Sequence, residues 1–293
     1  MRWIIGLDLR PRSVGALRFA SWLGAESAPR EPERFVAVHV LEEEHLRAAL
    51  RSQHLSEVEA AARGQVRRLL DEEDPEGRIV EVEVVQSTHA DEGLRAERVS
   101  RKADGAIIGR LAGADERRIV RLGRVARRLL RDPPGPTFVV PPDLRRGAVG
   151  SGPVVALTSL DADAEAACDL AAALAARLGR PLDLVHVVPH LAASSPEFVP
   201  AALLAEETAV LVAQGEKDLA AWIRARGLHP SRTHVLRGDL FDAAVLHAEQ
   251  ARAPFLVVGV HVRGGLERLV SPSIASELAA TSTLPVLVVP ASR

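Results

Sequence analysis

The chain is poor in the residues that most often announce chemistry. Its 293 residues include one cysteine, Cys168, one methionine and no tyrosine, and aromatic residues make up only 3%. A single cysteine excludes an intramolecular disulfide framework and a cysteine-based metal centre. Lysine is nearly absent: Lys102 and Lys217 stand among 37 basic residues, and neither lies in a glycine-rich loop, so no P-loop is present. There is no nucleophile elbow and no paired-carboxylate pattern, so a dedicated catalyst is not expected. Although 47% of the chain is hydrophobic, no apolar run approaches the roughly 20 residues that span a bilayer. The opening MRWIIGLDLRPRS sets an aspartate within a short apolar strand pattern, unlike a signal peptide. The expectation is a soluble cytoplasmic protein without membrane contact.

Charge is equally unassertive. Residues 1–150 hold 26 Lys+Arg against 24 Asp+Glu, and the remainder 11 against 15. Neither balance predicts a nucleic-acid binder. One stretch, RRIVRLGRVARRLLR (117–131), concentrates seven arginines. Its apolar residues recur at helical spacing, which places the arginines on the opposite face, as a solvated surface or as a seat for an anion or acidic partner.

What the chain does have is repetition. FVAVHV (35–40) is echoed by LDLVHVV (182–188), GAIIG (105–109) by FLVVG (255–259), and PTFVVP (136–141) by LPVLVVP (284–290). The order is the same, at an offset of about 150 residues. Each copy alternates five strands with four helices, beginning and ending on a strand. The strands of the first are WIIGL (3–7), FVAVHV, IVEVEVV (79–85), AIIG and TFVV. Those of the second are VVAL (154–157), DLVHVV, THVL (233–236), FLVV and VLVV (286–289). Most are short Val/Ile runs without polar alternation, as expected when helices cover both faces; IVEVEVV alternates and reads as an edge. Strand–helix alternation predicts an α/β fold of two tandem doubly wound, mostly parallel five-stranded sheets flanked by helices. Periodicity vanishes in PDLRRGAVGSGP (142–153), which puts the division at 1–146 and 147–293.

The recurring VHV at the second strand, the glycine turn after the fourth, GDLFDAAVLHAEQARAPFLVVG (238–259) and the terminal PVLVVP resemble the universal stress protein family in its tandem two-domain form. The resemblance spans essentially the whole chain. It implies a Rossmann-like, adenine nucleotide alpha hydrolase-like fold and a regulatory stress-response role. It also implies a pseudo-dimer of the two repeats, joined through TFVV and VLVV, with further homodimerisation and protein partners left open. Nucleotide-binding members carry Gly, two residues, Gly, nine residues, Gly, then Ser or Thr, together with an Asp after the first strand and backbone contacts after the second. Glycines in such a turn let backbone amides approach phosphate, and the helix that follows offers an anion its positive end.

Both copies depart from that pattern. In the second, Gly259 and Ser273 match, Val262 and Pro272 replace the other two glycines, and Arg263, Gly264 and Gly265 lie between. Ser159 takes the adenine-contacting aspartate position, with Asp161 two residues on, and Val187 follows the second strand's histidine. In the first copy Asp8 and Val40 are in place, three residues separate Gly109 from Gly113, Gly123 keeps the nine-residue spacing, and Arg124 replaces the Ser/Thr. Asp115 and Glu116 within that loop would repel a triphosphate. Asp8 either contacts adenine or bonds backbone amides of its own turn. The resemblance therefore implies at most one competent ATP site, with Mg2+ entering only with the nucleotide, and the second copy is the better preserved. A scaffold module that binds no nucleotide is the alternative, and weak ATPase activity rests on the family alone. His39 and His186 sit on buried strand patterns and read as satisfied core histidines. His229, His234, His247 and His261 show no metal-ligand spacing, and Cys168, on an Ala-rich helix, reads as inert.

Overall fold

The computed structural model describes residues 1–27, 32–44, 46, 54–111, 122–188, 201–260 and 274–291; of residues 201–207 and 274 it describes only the backbone. In chain order the elements of the first half are β1 (Arg2–Leu7), α1 (Val14–Glu26), β2 (Arg34–Glu42), α2 (Leu55–Glu73), β3 (Glu81–Ser87), α3 (Ala90–Ser100), β4 (Gly105–Gly109), α4 (Arg124–Arg131) and β5 (Thr137–Val140). The second half repeats them as β6 (Val154–Leu157), α5 (Ala162–Arg177), β7 (Leu182–Val188), α6 (Ala201–Arg226), β8 (Arg232–Arg237), α7 (Leu240–Gln250), β9 (Leu256–Val260), α8 (Ile274–Thr281) and β10 (Val286–Pro290).

The strands form one ten-stranded sheet in the order β3-β2-β1-β4-β5-β10-β9-β6-β7-β8. Within each half all pairs are parallel; the halves meet through TFVV and VLVV, where β5 and β10 pair antiparallel with Leu287 opposite Phe138. The two expected five-stranded sheets are thus continuous, because joining β5 to β10 satisfies two backbone edges that would otherwise be open. The alternating strand β3 does lie at an edge, but it starts at Glu81. Ile79 is held back in the preceding turn, its N–H donating 2.7 Å to the Asp74 carboxylate.

Both faces are buried. One face sets Trp3, Ile5, Phe19, Leu23, Cys168, Leu174 and Leu287 in a continuous core beneath α1, α2, α5 and α6; the other sets Ile4, Val36, Val38, Leu129, Val185, Ala244 and Val286 beneath α3, α4, α7 and α8. This explains the unbroken Val/Ile runs of the central strands. The scarce aromatics are spent where the halves join: Phe138 lies 4.8 Å from Phe19 and 5.2 Å from Phe255 between ring centroids. Glu33, buried at the same seam, accepts from Trp3 Nε1 at 2.8 Å and from Arg177 Nε of the other half at 2.8 Å. Buried Arg110 reaches the opposite way, donating to the carbonyls of Ala280 and Ser282.

The expected helix over 117–131 is shorter. Its described part begins at Arg124, because Gly123 is extended (φ −67°, ψ 168°) and stands as the N-cap. Leu122, Ala126, Leu129 and Leu130 of this stretch are buried, while Arg124, Arg127 and Arg131 face solvent.

Candidate functional site

The carboxyl ends of β1, β2 and β4 and the N-terminus of α4 enclose a cleft of about 530 Å³ in the first half. This is the switch point of a doubly wound sheet, where β1 is flanked by β2 and β4, which run on to opposite sides. The cleft brings together Asp8, Val40, Gly109, Gly123 and Arg124 of the expected residues, and adds Arg10, Arg12, His39 and Glu42. Gly113 lies outside the described residues.

Asp8 ends β1 and turns inward on itself. Its carboxylate accepts the Arg10 amide at 3.0 Å and pairs with the Arg12 guanidinium. Between them Leu9 adopts a left-handed conformation (φ 57°), which costs a leucine roughly 1–2 kcal/mol. The alternative in which Asp8 bonds its own turn is therefore the observed state, with carboxylate lone pairs still available to a ligand. Val40 packs against Gly93 of α3, where a Cβ would come within 2.8 Å of its side chain. His39 Nδ1 lies 2.8 Å from the Leu7 carbonyl, which fixes the proton on that nitrogen.

The two glycines of the cleft differ in what demands them. A Cβ on Gly109 would stand 2.4 Å from the Arg12 carbonyl oxygen. The start of α1 therefore presses on β4, and only glycine fits there. Gly123 has ordinary φ, and a Cβ on it would meet, among the described residues, nothing nearer than Leu111 at 3.9 Å. The space beside Gly123 belongs to the cleft. Arg124, the next residue, reaches across to Glu42 at 3.3 Å. Glu42 also accepts the amide of Ala90 at 3.0 Å and so closes the first turn of α3. Glu42 and Arg12 carry no motif signal, and only the folding of β2 and the β1–α1 turn against the glycine loop places them in the cleft.

In the second half Ser159, Val187 and Gly259 occupy the corresponding strand ends, while Arg263, Gly264, Gly265 and Ser273 lie outside the described residues. Ser159 Oγ donates 2.7 Å to Asp161, and Asp161 caps α5 by accepting the amides of Asp163 and Ala164. Val187 pairs with Leu236 of β8. A Cβ on Gly259 would stand 2.5 Å from the Asp163 carbonyl. His186 Nδ1 lies 2.9 Å from the Thr158 carbonyl, repeating His39. Cys168 is fully buried, and burial pushes its thiol up to about 12, an inert state at neutral pH.

The sequence profile described as the universal stress protein family matches residues 152–290. In sequence, the second half of the chain is thus similar to that family. The fold of the whole chain extends the likeness to the first half. It is similar to a universal stress protein from Archaeoglobus fulgidus DSM 4304, at 15% identity over 99% of this chain and 98% of that one (TM-score 0.63). It is also similar to a functionally unknown protein from Pseudomonas aeruginosa PAO1, at 15% identity over 99% and 92% (TM-score 0.60). At such identities the likeness is one of fold. No curated protein matches the sequence. Among the described residues, no helix is long and apolar enough to cross a membrane.

Proposed function

We propose that the chain is a tandem universal stress protein of the cytoplasm, divided at 146/147, that acts as a regulatory binder of an adenine nucleotide, with the competent site in the first half. One observation carries the reading: Gly123 opens onto the cleft at the N-terminus of α4 although nothing described in the fold requires a glycine there. A helix N-terminus whose N-cap residue lacks a Cβ lets amides reach a phosphate, and Arg124 beside it supplies a guanidinium for bidentate pairing. The volume of about 530 Å³ lies within the range of small-molecule pockets. Arg10, Arg12 and Arg124 outnumber Asp8 and Glu42 along its wall. Val40 and the backbone of β2 form the side on which adenine would lie. Arg124 would turn from Glu42 to phosphate, and a divalent ion would arrive with the triphosphate. Both carboxylates of the cleft are engaged by arginine, which favours binding over catalysis.

The scaffold reading has its own support, since the Arg124–Glu42 pair already bridges the phosphate end of the cleft. Calorimetric titration of ATP into nucleotide-stripped protein separates the two. The nucleotide reading expects saturable binding that Gly123→Val abolishes while Ser273→Ala leaves it unchanged. Binding lost in Ser273→Ala and kept in Gly123→Val would move the site to the second half. The absence of heat at millimolar ATP would leave the scaffold.

A further inference from the structure

The second half carries another cluster, at the end of β7 opposite the carboxyl end that corresponds to the cleft of the first half. Asp183 is the second residue of β7, His234 lies on the edge strand β8, and His247 on α7. Val185 stands opposite His234 in the strand register, and its face of the sheet shares a core with Ala244 and Ala248 of α7. One ligand atom from each of the three residues lies within 4.8 Å of the others. His234 Nε2 is 3.3 Å, and His247 Nε2 3.9 Å, from Asp183 Oδ2. Asp183 is only 2% exposed, and among the described residues its Oδ1, like His247 Nε2, is buried without a hydrogen-bond partner. A buried carboxylate with an unanswered oxygen calls for a cation.

The first half shows how that call is met in the other copy. The strand registers place Glu83 where His234 stands and Val36 where Asp183 stands. The matching helices α3 and α7 place Glu97 at the position of His247 and Arg101 at that of Ala251. The phase is set by Lys102 and Arg252, which follow at φ 50° and 54°. There Arg101 is the cation, 2.6 Å from Glu83, 2.8 Å from Glu97 and 3.1 Å from Glu81. In the second half the cation position is an alanine, His234 and His247 replace Glu83 and Glu97, and Arg232, opposite Asp183 in the register, replaces Glu81.

We propose that Asp183, His234 and His247 bind one divalent transition-metal ion of the Zn2+ class. Tetrahedral ligands at about 2.0–2.1 Å stand about 3.4 Å from one another, close to the 3.3 and 3.9 Å separations found here. Two imidazoles with one carboxylate suit Zn2+ and its neighbours rather than Mg2+ or Ca2+. The half-exposed His234 gives the ion a way in, and the ion ties the edge strand β8 to β7 and α7.

The test is a Co2+ titration of the chelator-stripped full-length protein, read by visible absorption, with Zn2+ as competitor. One saturating equivalent with tetrahedral ligand-field bands is expected, displaced by Zn2+. His234→Ala and His247→Ala should each weaken it at least tenfold, while exposed His229→Ala does not, all variants showing the wild-type circular dichroism. No saturable Co2+ signal from the folded wild type, or unchanged affinity in either His234→Ala or His247→Ala, overturns the proposal. Because the cleft residues are untouched, the result is independent of nucleotide binding.

Discussion

Gly109 is the last residue of β4 and Gly259 the last but one of β9, and each is pressed by the same thing, a backbone carbonyl at the start of the half's first helix. A Cβ would come within 2.4 Å of the Arg12 oxygen in one and 2.5 Å of the Asp163 oxygen in the other. Leu9 and Leu160 follow β1 and β6, both left-handed, at φ 57° and 64°. His39 and His186 reach the carbonyl of the strand beside them in both halves. These shared features persist although the residue before the strained leucine is Asp8 in one copy and Ser159 in the other. They belong to the strand–turn–helix geometry and bear no witness to a ligand. The copies diverge in how polar groups are answered: Glu42 caps α3 from a neighbouring strand, whereas Asp239 caps α7 on its own. Arg101 gathers three glutamates at one edge where the other edge gathers two histidines and an aspartate. The comparison separates what the fold requires from what a ligand can explain.

The largest expected effect comes from undoing the seam that lets the two halves be compared at all. Glu33→Ala removes the acceptor shared by Trp3, Arg177 and the N-terminal amine. It should cost about 3 kcal/mol, as when one partner of a buried pair is removed, measured by urea unfolding. If the seam couples the halves, fluorescence and far-UV dichroism should part into two transitions in this variant and coincide in the wild type.

Next in size, Gly109→Ala and Gly259→Ala should destabilise by about 2 kcal/mol each, because the added carbon meets backbone that cannot step aside. A large difference between the two would break the symmetry of the halves. Gly123→Ala, by contrast, should cost only about 0.5–1 kcal/mol, the ordinary preference of an N-cap for glycine over alanine.

Smaller and of opposite sign, Lys102→Gly and Arg252→Gly should each stabilise by about 0.5–1 kcal/mol. Both residues sit left-handed after a helix whose end is closed by the Ala103 and Ala253 amides, a position that glycine occupies without strain.

The mildest test uses pH. The Arg18 guanidinium holds the Glu73 carboxyl below its ordinary value of 4.5. A carboxyl depressed in the folded state contributes stability that is fully present above 4.5 and lost as pH falls through the lower folded value. Arg18→Met should therefore flatten the stability–pH curve in that acid window. In the second half the signs are exchanged, with Arg226 of α6 pairing to Glu165 and Asp169 of α5.

Much of this architecture is legible in the sequence because it rests on local pattern. Val/Ile runs bounded by turns read as strands buried on both faces, and their order read twice predicts two like halves; the seam at TFVV and VLVV follows from the family resemblance. The glycine loop is less legible. Gly109, Gly123 and Gly259 look alike as letters, and only contact with α1, α5 or an open cleft tells a packing glycine from one that leaves room for a ligand. Asp8 is the same case: its place after the first strand matches the family's pattern, but its engagement by Arg10 and Arg12 is a matter of the folded turn.

The sequence by itself determined the strand and helix pattern, the doubling and the edge position of β3. Those follow from side-chain periodicity and from topology, which are written along the chain. Only the tertiary structure decided that the two sheets are one, that Glu42 answers Arg124, and that Asp183, His234 and His247 meet. Those residues lie on separate elements at no telling spacing, and what unites them is the parallel register and the helix laid over it, a relation that exists only once the sheet has formed.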